Sequence, residues 1–214
     1  MTATPDAPNG STITIAVDIQ NDFCPGGSLA VAAGDEVIAP MNAVLAATRA
    51  IGGTVVATRD WHPEVTPHFD IWPVHCVAGT EGAQFRAGLE LADTDIVIDK
   101  GTGTEDGYSG FEGAAHDGSA TLESLISAAA DPVTVIVGGL ATDYCVLNTV
   151  LDACTLAEKL GAQGRDVRVE VLADAIAAVD MNPGDGSAAI DRMRDKGARF
   201  VASETAVEHL STPN

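Results

Sequence analysis

Positive charge is scarce in this chain. Eleven lysines and arginines stand against 31 aspartates and glutamates in 214 residues, a formal charge of −20. Nucleic acid and anionic membranes need clustered Lys and Arg to meet their phosphates, so neither is expected as a partner. Lysines number only three and aromatics only nine. Four cysteines (Cys24, Cys76, Cys145, Cys154) are too few for a disulfide scaffold at this length, so free thiols in a cytoplasmic protein are expected. No apolar run approaches the ~18–20 residues of a membrane span. Residues 1–11 have neither the basic nor the apolar region of a signal peptide and read as a polar tail. The glycines at 101, 103 and 107 are wrongly spaced for a dinucleotide fingerprint, and neither a G-K-[ST] loop nor a G-x-S-x-G elbow occurs.

Apolar material is present in quantity, 46% of residues, which is enough for a core. Length suits one domain, taken as residues 12–214. Short β-branched runs alternate with helical patterns. Strands are expected at 12–17, 54–58, 96–98, 133–137, 167–172 and 199–202, and helices at 35–51, 121–130, 142–160 and 186–196. Such alternation predicts a three-layer α/β/α sandwich around a mostly parallel six-stranded sheet.

Residues 59–95 break the pattern: they are rich in Pro, His, Trp and Gly, with no convincing strand or helix. Irregular segments this long are usually functional or disordered, and the aromatics oppose disorder. Seven of the nine (Phe23, Trp61, Phe69, Trp72, Tyr108, Phe111, Tyr144) fall in or beside the loops after the first four strands. An aromatic-lined pocket at the carboxyl end of the sheet is expected, where open parallel sheets bind ligands. Strand one delivers Asp18, Gln20, Asn21 and Asp22 to that end. Strand two delivers Arg59, Asp60 and His62, strand three delivers Asp99 and Lys100, and strand four runs through Gly138-Gly139 to Cys145.

Cys145 starts a helix, where the N-terminal partial charge favours thiolate and free N–H groups can hold an oxyanion; it could also simply pack under the helix, as Cys154 does. Cys24 and Cys76 read as wall residues. Lys100 is either a rim lysine or a charge kept for an anion. Asp18 either caps a turn or serves as a general base. His62, His68 and His75 lie within 14 residues. With Asp60 they form a His/Asp set that suits Zn, Mn or Fe(II), although each alone would read as a solvated loop residue. His116 and His209 are isolated.

The segments VDIQNDFCPGGSLAV (17–31), TRDWHP with His68 (58–68), WPVHCVAGTEGA (72–83), KGTGTEDGYSGFEG (100–113) and GGLATDYCV (138–146) together resemble the nicotinamidase (pyrazinamidase) branch of the isochorismatase-like cysteine hydrolases. The resemblance runs from about residue 13 to 202, with the motifs in family order. It implies that fold, with Cys145 as nucleophile, Asp18 as its base and Lys100 completing the triad. It places the N–H groups of Ala141 and Cys145 in an oxyanion hole, with a cis peptide between Leu140 and Ala141. It gives one divalent ion (Zn, Fe or Mn) to Asp60, His62, His68 and His75, and a pyridine carboxamide to Phe23, Trp72 and Tyr108. The implied reaction converts nicotinamide and water to nicotinate and ammonia through a thioester, in NAD salvage, with pyrazinamide as a further substrate. Monomer and homo-oligomer both stay open. The rivals are another amidase of the superfamily, of ureidoacrylate or carbamoyl type, a metallohydrolase with a structural Cys145, and an inactive pyridine-binding module. One departure stands out: only FDIWPV separates His68 from His75, where the family often has a longer insertion. A shorter lid is expected, with a more open site and weaker metal retention or broader amide acceptance.

Overall fold

The computed structural model describes residues 10–212; the first nine residues of the expected polar tail lie outside them. Strand β1 (Ser11–Val17) leads through a long loop (18–37) to α1 (Ile38–Ala50), β2 (Thr54–Asp60), a long irregular segment and β3 (Ile96–Lys100). Then follow β4 (Ala114–Ala115), α2 (Leu122–Ala128), β5 (Val133–Leu140), α3 (Leu147–Gly161) and β6 (Val167–Ala177). The chain closes with α4 (Asp185–Asp195), β7 (Arg199–Val201) and α5 (Ser203–Ser211). The sheet order is β4-β3-β2-β1-β5-β6-β7, parallel throughout except for β4 against β3.

The expected three-layer architecture stands, with seven strands instead of six. The extra one, β4, is two alanines, too short to carry a period-2 pattern. Helix α5 also escaped the sequence reading, because its pattern begins one residue after the last strand with no turn signal between them. It packs with α1 on one face of the sheet.

Strand β1 shows how the sequence builds the layers. Ile13, Ile15 and Val17 point into one core with α2, α3 and α4, whereas Ala16 points into the other with α1 and α5. Thr14, on that second face, meets Thr48 of α1 in a buried hydroxyl pair at 2.6 Å. Both faces are covered, so the run TITIAV is buried without a polar face. Each fully buried Ile or Val contributes about 1.5–3 kcal/mol over an exposed one. The strand order reverses at β1, which has β2 on one side and β5 on the other. That reversal leaves a crevice beyond the carboxyl ends of the central strands.

Candidate active site

Four adjacent strand ends carry the reactive groups in spatial order. From β3 to β5 these are Lys100, Asp60, Asp18 and the Leu140–Ala141 peptide, which is cis. Asp60 and Lys100 prove to be the last residues of their strands, so the ladder fixes their backbones. Gly139 has φ 125°, and a Cβ there would lie 2.1 Å from the carbonyl of Val17. The Gly138-Gly139 pair therefore serves to seat the end of β5 against β1. Beyond it, one wide turn (Thr142–Val146) leads into α3 and carries Cys145.

Lys100 is 1% exposed and its ammonium is the hub. Its Nζ contacts Asp60 Oδ1, donates to the Gly107 carbonyl at 2.7 Å, and lies 2.8 Å from Asp18 Oδ2 and 3.5 Å from Cys145 Sγ. Asp18 Oδ1 accepts from the Thr58 hydroxyl at 2.6 Å. Its Oδ2, although near the ammonium, has no hydrogen bond of good geometry among the described residues. The Cys145 sulfur and one oxygen each of Asp18 and Asp60 lie within 4.8 Å of one another. Asp18 adopts φ 48°, a left-handed conformation sparsely used by non-glycine residues and common at functional sites.

Burial sets the protonation states. It raises the Asp18 carboxyl above its ordinary value, against the pull of Lys100. It also raises the Cys145 thiol well above its ordinary value, only partly offset by Lys100. The thiolate expected from the helix terminus is thus corrected: desolvation in this dry corner outweighs the terminal partial charge, and the resting group is a thiol. For Lys100 burial acts downward, but the carboxylates of Asp18 and Asp60 outweigh it and hold the ammonium charged. Asp60 is likewise pushed up by burial but brought down to about 2, first by Lys100 and then by His62.

The histidines converge on the far side of Asp60. His62, His68 and His75 are all buried, and one ring nitrogen from each lies within 4.8 Å of the others. Each Nδ1 faces an acceptor: the Gly101 carbonyl for His62, Asp106 for His68 and the Pro73 carbonyl for His75, at 2.8, 2.8 and 2.7 Å. The Nε2 atoms of His62 and His75 point to Asp60 Oδ2 at 3.7 and 3.9 Å. His62 Nε2 is buried with no partner among the described residues. Three imidazoles with their outer nitrogens engaged, an orphaned inner nitrogen and an adjacent carboxylate fit a divalent cation. Gly101 makes room for this packing: its φ is 61°, and a Cβ would lie 2.4 Å from the His62 ring.

Between the two constellations opens a cleft of about 420 Å³, including its mouth, lined by Phe23, Trp72, Tyr108, Tyr144, Ala141 and Cys145 among others. Ala141 borders this space, and its N–H donates to no group among the described residues. Trp72 Nε1 donates to the Tyr108 hydroxyl at 2.8 Å and the indole stands edge-on to Tyr144 at 5.1 Å. Four of the seven expected aromatics thus line the cleft. Phe69 packs behind the histidines, Trp61 lies 3.7 Å beneath the Arg59 guanidinium, and Phe111 joins the core. Cys24 and Cys76 are buried core residues, not cleft wall, because the loops carrying them fold inward over β1. Cys154 packs in α3 as expected. His116 is bonded to Asp99 at the surface.

Several residues that organise the site carried no separate signal in the sequence. Buried Gln20 donates to the carbonyls of Asp60 and Ala83 and accepts from the Asp60 N–H, clamping the main chain at Asp60. Asp22 accepts from the Cys76 N–H at 2.7 Å, tying the first loop to the histidine segment. Asp143 accepts from the N–H groups of Val179 and Asp180, which joins the Cys145 turn to the loop after β6. Type and proximity to a strand end mark such residues as polar, but their bonds to main chain depend on loops far apart in sequence.

Sheet, crevice and side chains together define a class, and the comparisons agree with it. The isochorismatase domain model matches residues 12–205, and the chain belongs to that family. It is 37% identical over 196 residues to the nicotinamidase/pyrazinamidase of Mycobacterium tuberculosis, covering 88% of this chain and 97% of that protein. It is also similar to the solved pyrazinamidase of Pyrococcus horikoshii in complex with zinc, at 34% identity and a TM-score of 0.75, over 90% of this chain and 99% of that one. A third likeness is to PnC1 from L. infantum in complex with nicotinate, at 34% identity and a TM-score of 0.73, over 95% and 98%.

Proposed function

We propose that this chain is a nicotinamidase that hydrolyses nicotinamide to nicotinate and ammonia, with pyrazinamide as a second substrate, in NAD salvage. It would act as a single domain in the cytoplasm, a compartment that keeps four unpaired thiols reduced. The observation that carries the reading is the meeting, in one aromatic cleft, of the Asp18–Lys100–Cys145 cluster with three inward-facing histidines.

In this reading Cys145 Sγ attacks the carboxamide carbon while the Asp18 carboxylate takes its proton. The N–H groups of Ala141 and Cys145 receive the oxyanion; one such donor is typically worth ~2.7–4 kcal/mol. Asp18 then passes the proton to the amide nitrogen, the C–N bond breaks and ammonia leaves a thioester. Water adds to the thioester, Asp18 again taking the proton. The C–S bond breaks, Asp18 returns its proton to the departing sulfur to restore the thiol, and the carboxylic acid loses its own proton to water and leaves as carboxylate. A carboxyl raised by burial suits this role, since its carboxylate takes up the thiol proton more readily than one at the ordinary value would. Lys100 holds Asp18 in place and balances the charge that develops on sulfur. Phe23 and Trp72 would flank the ring, with Tyr108 at its edge. Asp60, His62, His68 and His75 would hold a Zn, Fe or Mn ion, which when bound supplies a Lewis-acid contact for the pyridine nitrogen. The three-histidine set speaks against a carbamoyl- or ureidoacrylate-type amidase.

Ammonia release from nicotinamide by the metal-loaded protein tests the reading directly. Release that vanishes in Cys145→Ala supports it; no release from the wild type overturns it.

A further inference from the structure

The three histidines are not held alike. His62 and His75 direct Nδ1 to main-chain carbonyls, whereas His68 directs Nδ1 to the carboxylate of Asp106 at 2.8 Å. Asp106 stands on the glycine-rich loop after β3, lines the cleft and keeps its side chain 48% exposed. His68 belongs to a single short turn (Pro67–Asp70) in the irregular segment. The Thr66 hydroxyl that caps the turn reaches the same glycine-rich loop only at 3.4 Å, on the Gly103 carbonyl.

We propose that Asp106 is a positioning residue of the metal site, acting through His68. This rests on the metal-binding reading above. The carboxylate accepts the Nδ1 proton, which fixes the tautomer that presents a bare Nε2 inward, and it raises the basicity of that nitrogen. There is a charge argument as well. The carboxylate of Asp60 already shares its charge with the Lys100 ammonium, and neutral imidazoles bring none. Asp106 would then add negative charge beside the ligand set, through its bond to His68. Its exposure also makes it the replaceable tie, since no core contact is lost with it.

The test measures metal binding by itself. Metal-free protein is titrated with zinc against a chromogenic chelator, and the cobalt-loaded form is followed by its visible absorption. Asp106→Ala is expected to weaken zinc binding about 10–100-fold and to alter the cobalt spectrum. Asp106→Asn, which keeps an acceptor but not the charge, should fall between that variant and wild type. Glu105→Gln removes the same charge one residue away, where the carboxylate accepts from the Gly103 N–H, and should bind as wild type does. Wild-type affinity in Asp106→Ala overturns the inference and leaves the metal reading standing. Equal weakening in Glu105→Gln overturns it too, by reducing the effect to general charge. Failure of the wild type to bind zinc, with His62→Ala no different, removes the metal reading and this inference together.

Discussion

The two halves of the cleft floor are held by different means. Asp18, Lys100 and the Cys145 turn sit on the ends of β1, β3 and β5, each of which has a neighbouring strand on both sides to fix the main chain. The histidines sit on a segment with almost no regular structure, His62 and His75 fixed by single bonds to main-chain carbonyls, His68 by one to Asp106, and Gly101 making room for the His62 ring. Asp60 alone belongs to both, with Oδ1 on Lys100 and Oδ2 facing the histidines. Chemistry that needs atoms within a few tenths of an ångström of one another is built on the sheet. Ligation, which tolerates adjustment of a side chain, is left to the loop. The two halves should therefore fail separately.

Cys145→Ala is the strongest test of that separation. Turnover should fall below detection while metal content, read by elemental analysis, stays at the wild-type level. Asp18→Asn keeps the shape but loses the base, and kcat should drop ~10²–10⁴-fold. On the other half, His62→Ala should lose metal affinity by more than ~100-fold, above the usual cost of an outer partner, and raise KM more than it lowers kcat. Equal metal loss in Cys145→Ala and His62→Ala would break the comparison.

A third measurement probes the thiols. Burial pushes Cys24 and Cys154 up to about 11. A raised value means that the neutral thiol persists to higher pH, so at pH 8 about one in a thousand of either is ionised. Burial raises Cys76 further still. Cys145 is raised as well, but of the four it is the one that lines the cleft, within reach of the Asp18 carboxylate. Iodoacetamide at pH 8 should accordingly abolish activity with one label per chain, on Cys145, and Asp18→Asn should slow the labelling. Peptide mass spectrometry reads the position. Activity that survives stoichiometric labelling of Cys145 would favour a metallohydrolase.

What the sequence disclosed follows the same division. Strand ends were legible because a buried β-branched run gives way there to charged residues, as TITIAV does at Asp18 and IVI at Asp99 and Lys100. The three histidines were visible as residue types, but nothing in their spacing said which carbonyl or carboxylate each ring would meet. Those partners lie 2 to 39 residues away, on loops whose meeting depends on the finished sheet. The protonation of Cys145 was misjudged for a related reason: a helix terminus is local and readable, whereas desolvation comes from every element packed around the sulfur. Trp61 and Phe111 misled in the same way, since lying next to a site in sequence does not decide which face of a strand end a ring takes.

The smallest expected effect concerns the lid. Only six residues join His68 to His75, and the structure shows how little of them reaches over the cleft. Trp72 covers it, latched to Tyr108, while Ile71 and Val74 stand in solvent at 75% and 58% exposure. One indole on a hydrogen bond is a light cover compared with the strand-end groups beneath it. A closed hydrophobic pocket commonly discriminates 10–200-fold against one added methylene. Here we expect kcat/KM for ring-methylated pyridine carboxamides to lie within about tenfold of that for nicotinamide, because the added group can extend past Trp72 toward the mouth. Pyrazinamide, which adds no bulk, should fall in the same range. A strict preference for nicotinamide would mean that the loop half of the cleft is as exacting as the sheet half, and the division between them would hold for ligation but not for substrate shape.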